Sequence, residues 1–183
     1  MQEIKIALKK VLPLVVSEWN QKKLPQMEEL FEQSFADLFE GRQTQEKTKT
    51  VAPILDSIFA RLMKAEIATF EVDEGKGRDY DYNGTPIECK ITFGSGNGWT
   101  GNGYTKTPIH LLMRFNMSEN GIIDQMFAMI ADLDQCASKW SEPQSSSNFS
   151  TLDFLVEDAD KISVVVGDVK INKVKIKPVM ESI

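Results

Sequence analysis

The dipeptide Asn83-Gly84 constrains the fold of this chain more than any other feature. It sits between RDYDY and TPIECKITF, two runs in which apolar and polar residues alternate. Asn-Gly is the favoured pair for a two-residue type I′ turn, because both central residues need positive φ and that turn matches the twist of paired strands. The segment is therefore read as an antiparallel hairpin. Counting outward from the turn pairs Tyr82 with Thr85, Asp81 with Pro86, Tyr80 with Ile87, and Asp79 with Glu88.

Successive side chains of a strand point to opposite faces. Ile87, Cys89, Ile91 and Phe93 therefore share an apolar face suited to a core. Glu88, Lys90 and Thr92 share the other face with Asp79 and Asp81, which turns this polar set toward a cleft or solvent. Cross-strand partners hold their Cβ atoms about 4.5–5.5 Å apart, and like charges directly opposite destabilise the pair. Two carboxylates about 5 Å apart repel by roughly 3 kcal/mol at an effective dielectric of about 20. A divalent cation offsets that repulsion, and Mg²⁺ suits one or two carboxylates completed by water and a substrate phosphate. Lys90, on the same face, neutralises part of the charge and is placed to position or activate a water.

The pattern Asp79-x8-Glu88-x-Lys90 in GRDYDYNGTPIECKIT resembles the PD-(D/E)XK nuclease superfamily, which includes most type II restriction endonucleases. The resemblance implies that Asp79 and Glu88 are catalytic metal ligands for Mg²⁺ and that Lys90 assists the attacking water. Arg78 stands where the family name expects proline. Asp81 is an alternative first aspartate, because a shorter spacing also occurs in the family, but the turn sets Asp79 opposite Glu88. Such enzymes commonly carry an acidic residue on a helix before the hairpin, and Asp56 in TVAPILDSIF matches that position, although the family more often has Glu there. An aspartate near a helix N-terminus is also a favourable dipole partner without any catalytic role.

Upstream of the hairpin the pattern is helical. Val15, Trp19, Met27, Leu30, Phe31, Phe35, Leu38 and Phe39 fall mostly at three- and four-residue steps, with Pro13 and Pro25 expected to break the run. Gly41 and RQTQEKTKT read as a connection. A second helix is expected from about Pro53 to Ala65, with Pro53 in its first turn. Further strands are expected at 67–72, 108–116, 126–133, 162–166 and 169–177, and a Ser/Pro/Asn loop at 141–150. The result is an α+β fold over 1–183 as a single domain, with 1–66 mainly helical and 67–183 mainly β in a central mixed sheet. The resemblance implies an α/β-type restriction-endonuclease core.

With 183 residues, 42% hydrophobic and 26% charged, the chain has the composition of a soluble globular domain. No apolar run approaches the roughly 18 residues of a membrane span, and the charges in MQEIKIALKK argue against a secretory signal. Cys89 and Cys136 form neither a CxxC motif nor a disulfide framework, so a reducing, cytoplasmic setting is expected. The net charge of −6 counts against nucleic acid as a partner. Affinity for phosphates depends on where basic residues cluster, however, and carboxylates at a metal centre lower the total.

Five glycines follow the ExK strand, interleaved with Asn97, Trp99, Asn102, Tyr104 and Lys106. Glycine lets backbone approach a ligand, and Asn can read adenine edges. This segment is the first choice for DNA contact, as a loop too glycine-rich for helix or central strand. No GK[ST] ends it, so it is not a Walker phosphate loop. Lys173, Lys175 and Lys177 could meet phosphates, but edge protection is the favoured reading. His110 is read as a packed or exposed residue rather than a catalytic one, Cys89 as packing, Asp132 and Asp134 as a strand end, and EDAD at 157–160 as a solvated turn. The expected activity is Mg²⁺-dependent cleavage of double-stranded DNA by a homodimer, since two-fold symmetric sites match two-fold protein symmetry. The alternatives are a repair or junction-resolving nuclease, or a non-catalytic binding protein. Alanine at Glu88 or Lys90 is expected to abolish cleavage while largely sparing the fold.

Overall fold

Apolar residues spaced by three and four make the first helix. A computed structural model describes residues 1–42, 44–73, 75, 78–94, 98–102, 107–142 and 149–167, with the backbone alone at 44, 45, 102 and 156. Helix α1 (Gln2–Glu18) buries Ile4, Ala7, Leu8, Val11, Leu12 and Val15 along one stripe. Pro13 lies inside α1 and does not end it. Its exposed position lets the ring face solvent, while the buried stripe on either side holds the helix together. A π-helical turn over Trp19–Lys23 then leads into α2 (Leu24–Phe31), where Pro25 occupies the first turn. The Trp19 indole N–H donates to the Gly121 carbonyl at 2.8 Å, and Asn20 exchanges two hydrogen bonds with the Ile123 backbone.

Helix α3 (Phe35–Leu38) is capped by the Ser34 hydroxyl, which accepts from the Asp37 amide. Helix α4 (Thr44–Glu66) starts well before the expected Pro53, and most of RQTQEKTKT is helical rather than a connection. Glu46, Lys47 and Lys49 are good helix formers, and Val51 already faces the core with no exposed surface.

The sheet has the order β1-β2-β3-β5-β6-β8. Its strands are β1 (Phe70–Val72), β2 (Tyr80–Tyr82), β3 (Thr85–Phe93), β5 (Ile109–Met117), β6 (Ile123–Asp132) and β8 (Ile162–Val166). The β3–β5 pair is parallel and its other neighbours are antiparallel. The fold is α+β, with helices first and a mixed sheet after them. The glycine-rich segment, expected to be loop, contributes β4 (Trp99–Asn102), which pairs with β7 (Phe149–Leu152) inside the expected 141–150 loop and just beyond it. The expected strand at 169–177 lies outside the described residues.

Two apolar clusters flank the main sheet. One joins the helices to Tyr80, Ile87, Cys89, Leu111, Met113 and Phe115, with Ile91 and Phe93 packed against it. This is the face the alternation assigns to the core. The second gathers Leu112, Phe127, Met129 and Val164 under Trp99, Leu133, Cys136, Leu152 and Phe154. It contains no residue of β2 or β3, where the same face carries Glu88, Lys90 and Thr92.

Candidate functional site

The hairpin folds as its turn chemistry requires. Asn83 and Gly84 both take positive φ, at 52° and 79°, and Tyr82 pairs with Thr85, Asp81 with Pro86, and Tyr80 with Ile87. The ladder ends at Tyr80 and Ile87: the Asp79 amide also turns to the Ile87 carbonyl, donating to it at 2.9 Å, so the expected Asp79–Glu88 rung is not formed. There the two strands part. The Asp79 carbonyl accepts from the Asp73 amide on the far side, and the Cys89 amide donates to Asp79 Oδ2 at 2.7 Å. A side-chain carboxylate stands where a strand carbonyl would continue the ladder, which fixes its orientation beside Glu88 and Lys90.

Lys90 joins the acids. Its ammonium pairs with Glu88 Oε1, lies 3.7 Å from Asp79 Oδ2, and donates to the Cys89 carbonyl at 2.9 Å. Glu88 is only 3% exposed, so it belongs to the interior and not to a solvent-facing cleft. That overturns the expectation that replacing it would spare the fold, because a buried ion pair broken on one side leaves an unpaired charge. Asp79 is the more open of the two acids, with its side chain 42% exposed.

Asp56 comes in from α4. The Tyr80 hydroxyl donates to its Oδ1, and its charge is felt at Asp79 while Lys90 is felt at Asp56. Burial raises the pKa of Asp56, only partly countered by Tyr80 and Lys90. Burial likewise raises Asp79, against the Lys90 charge and the Cys89 amide. For Lys90 burial works downward, but Asp79 and Glu88 outweigh it and hold the proton more tightly than usual. Burial and the neighbouring anions push Tyr80 far up, so it remains a neutral donor.

Asp79 and Glu88 share one ammonium in partly dry surroundings, and the charge of Asp56 is felt at Asp79. Two acids beside a single lysine have the chemistry that a divalent cation with oxygen ligands takes. Among the described residues no three His, Cys, Asp or Glu side chains converge as a ready-made cage. Mg²⁺ does not need one, since one or two carboxylates with water and phosphate suffice. Asp79 and Glu88 are the two acids that stand together, through their shared contact with Lys90.

Asp81, the alternative first aspartate, is engaged at the turn, where its Oδ1 accepts from the Gly84 amide at 2.8 Å. Trp99, expected to contact DNA, is instead a core residue, 2% exposed. Arg114 stacks on its ring with the guanidinium carbon 4.9 Å from the centroid, and donates to the Gly98 carbonyl at 2.9 Å. The reason is that β4 pairs with β7 and Trp99 packs among the buried residues of the second apolar cluster. Asn102 has its backbone in β4, and Asn97, Tyr104 and Lys106 lie outside the described residues. Of the upstream basic residues, Arg61 pairs with Glu18 and Arg78 with Asp73.

EDAD is not simply a solvated turn. Asp158 is fully buried and accepts from the Ala137 and Ser138 amides and the Ser138 hydroxyl. These bonds overcome the upward pull of burial and lower its pKa. Asp132 closes its own turn, accepting from the Asp134 amide and the Gln135 side chain. His110, read as packed or exposed, is buried, and its bond to Trp140 carried no signal in the sequence, because the two residues come together only through the fold. Neither the protein-family models nor the curated proteins compared with this chain give a match. Among the described residues no helix is long and apolar enough to cross a membrane.

Proposed function

We propose that this chain is a Mg²⁺-dependent endonuclease that hydrolyses phosphodiester bonds in double-stranded DNA, of the type II restriction kind and acting as a homodimer. The observation that carries the reading is the meeting of Asp79, Glu88 and Lys90 where β2 and β3 part, with Asp56 joining them from α4.

Asp79 and Glu88 would hold the cation. When bound, it supplies Lewis-acid stabilisation of phosphate charge and makes water a stronger nucleophile. Lys90 keeps its proton, so its part is to donate hydrogen bonds, orienting the attacking water and countering charge on the phosphate. Asp56, with a raised pKa and the Tyr80 hydroxyl fixing one oxygen, is suited to accept the proton the water gives up. Duplex cleavage by two such centres favours a two-fold dimer. Two buried cysteines, neither in a disulfide, agree with a cytoplasmic setting.

The test is digestion of plasmid and mixed-sequence DNA by wild type, Asp79→Asn and Glu88→Gln, with Mg²⁺ and with EDTA. Discrete bands from wild type alone, lost in EDTA, support a restriction activity. Nicking or cleavage confined to branched DNA supports a repair or junction-resolving enzyme instead. The deep burial of Glu88 against Lys90 favours one second reading, a non-catalytic binding protein in which the pair is structural. No Mg²⁺-dependent cleavage by folded wild type is the result that selects it.

A further inference from the structure

The lysine of this site is gripped along its hydrocarbon stem as well as at its charged end. Gly101 of β4 lies against it. A Cβ on Gly101 would sit 3.2 Å from Lys90 Cε, and 3.1 and 3.3 Å from two carbons of the Trp140 ring. Bare backbone at this point lets the lysine stem and the indole close on the same strand.

Trp140 is itself held. Its indole N–H donates to His110 Nε2 at 3.0 Å, with the two rings 5.9 Å apart between centroids. An Nε2 that accepts carries no proton, so the proton is on Nδ1, which faces the Pro108 carbonyl at 3.2 Å and donates to it. His110 is fully buried on β5 and is the register partner of Glu88 on β3. A line of contacts therefore runs from the strand beside Glu88 through His110 and Trp140 to Gly101, which the Lys90 stem also meets.

We propose that Gly101, Trp140 and His110 are positioning residues that fix the conformation of the Lys90 side chain toward Asp79 and Glu88. The inference rests on the nuclease reading for its purpose but not for its geometry. A lysine ammonium is a compact charge on a flexible four-carbon stem. Several rotamers of such a stem can satisfy two nearby carboxylates, and the Gly101 backbone with the indole beside it narrows that choice. In a reaction that depends on where a water sits, that selection acts on the chemical step and not on DNA binding.

The experiment measures ¹³C relaxation of the Lys90 Cε methylene in the full chain without DNA, for wild type, Trp140→Ala, Trp140→Phe and Gly101→Ala. Trp140→Ala is expected to lower the Cε order parameter clearly. Trp140→Phe, which keeps a ring and loses the N–H bond, is expected to restore most of it. With Mg²⁺ and plasmid DNA, kcat for Trp140→Ala should fall about 10- to 100-fold with KM changed less than about two-fold. An unchanged order parameter in folded Trp140→Ala overturns the proposal. If that variant does not fold, Gly101→Ala decides: a displaced Lys90 Cε resonance supports the proposal, and an unmoved one overturns it. Wild type without Mg²⁺-dependent cleavage sinks the nuclease reading, while the relaxation data still settle the positioning role.

Discussion

Lys90→Met removes an ammonium that two carboxylates share. Asp79 Oδ2 lies 3.7 Å from it, and Glu88, only 3% exposed, is in direct contact. At an effective dielectric of about 20, a separation of 3.7 Å corresponds to a gross attraction of about 4–5 kcal/mol. The Asp79 share is screened, because that side chain is 42% exposed. The Glu88 share is not, and breaking a buried pair on one side typically costs about 3–5 kcal/mol. For a chain of 183 residues this lowers Tm by roughly 6–20 °C. The assay is urea denaturation at neutral pH in EDTA, on Lys90→Met, Glu88→Gln and the double variant. An uncharged pair of similar volume is close to neutral, so the double variant should cost at least about 3 kcal/mol less than the sum of the singles. If Lys90→Met costs under about 1 kcal/mol, or the two single losses simply add, the buried-pair reasoning is refuted.

Other outcomes follow from the same geometry. Gly84→Ala should cost about 1–2 kcal/mol, all of it backbone strain at φ 79°, because nothing lies within 4 Å of the added carbon; urea midpoints measure it. Asp56 and Asp79 bind protons more tightly folded than unfolded, so their contribution to stability falls as pH rises from the ordinary aspartate value of about 3.9 toward their raised values. Urea midpoints from acid to neutral pH should show that decline in wild type and lose it in Asp56→Asn/Asp79→Asn. Asp158 behaves oppositely: its lowered pKa gives stability present above about pH 3.9 and lost as pH falls. Asp158→Ala should cost about 2–4 kcal/mol by thermal or urea unfolding, since two amides and a hydroxyl lose a charged acceptor.

The hairpin was legible because its determinants are local. Asn83-Gly84 names its own turn type, a turn of known length fixes register, and register with alternation assigns each side chain a face. Glu88 and Lys90 follow from that arithmetic, while Asp79 reaches them through its side chain where the ladder ends. Asp56 was legible only by resemblance, since nothing in the apolar spacing of α4 shows that Tyr80 will reach it. The burial of Glu88 was not legible. Alternation tells which side of the sheet a residue takes, not whether distant chain will cover that side. Here Trp140, far beyond β3 in sequence, closes on Gly101 beside the Lys90 stem. The same distance hid β4 and β7, whose short Gly- and Ser-containing segments read as loops until each supplies the other's hydrogen bonds. Pro13 misled for a related reason, because a stripe buried on both sides of it outweighs one missing amide bond.

The Cys89 amide has an unusual dependence. Most N–H groups of a sheet answer to a neighbouring backbone, but this one answers to a carboxylate that takes part in ion pairing. Whatever draws Asp79 Oδ2 aside, be it a proton, a cation or a phosphate, must therefore move the resonance of a single backbone proton in the middle of the sheet. The hairpin carries its own gauge of the acid cluster, readable before any bond in a substrate is cut.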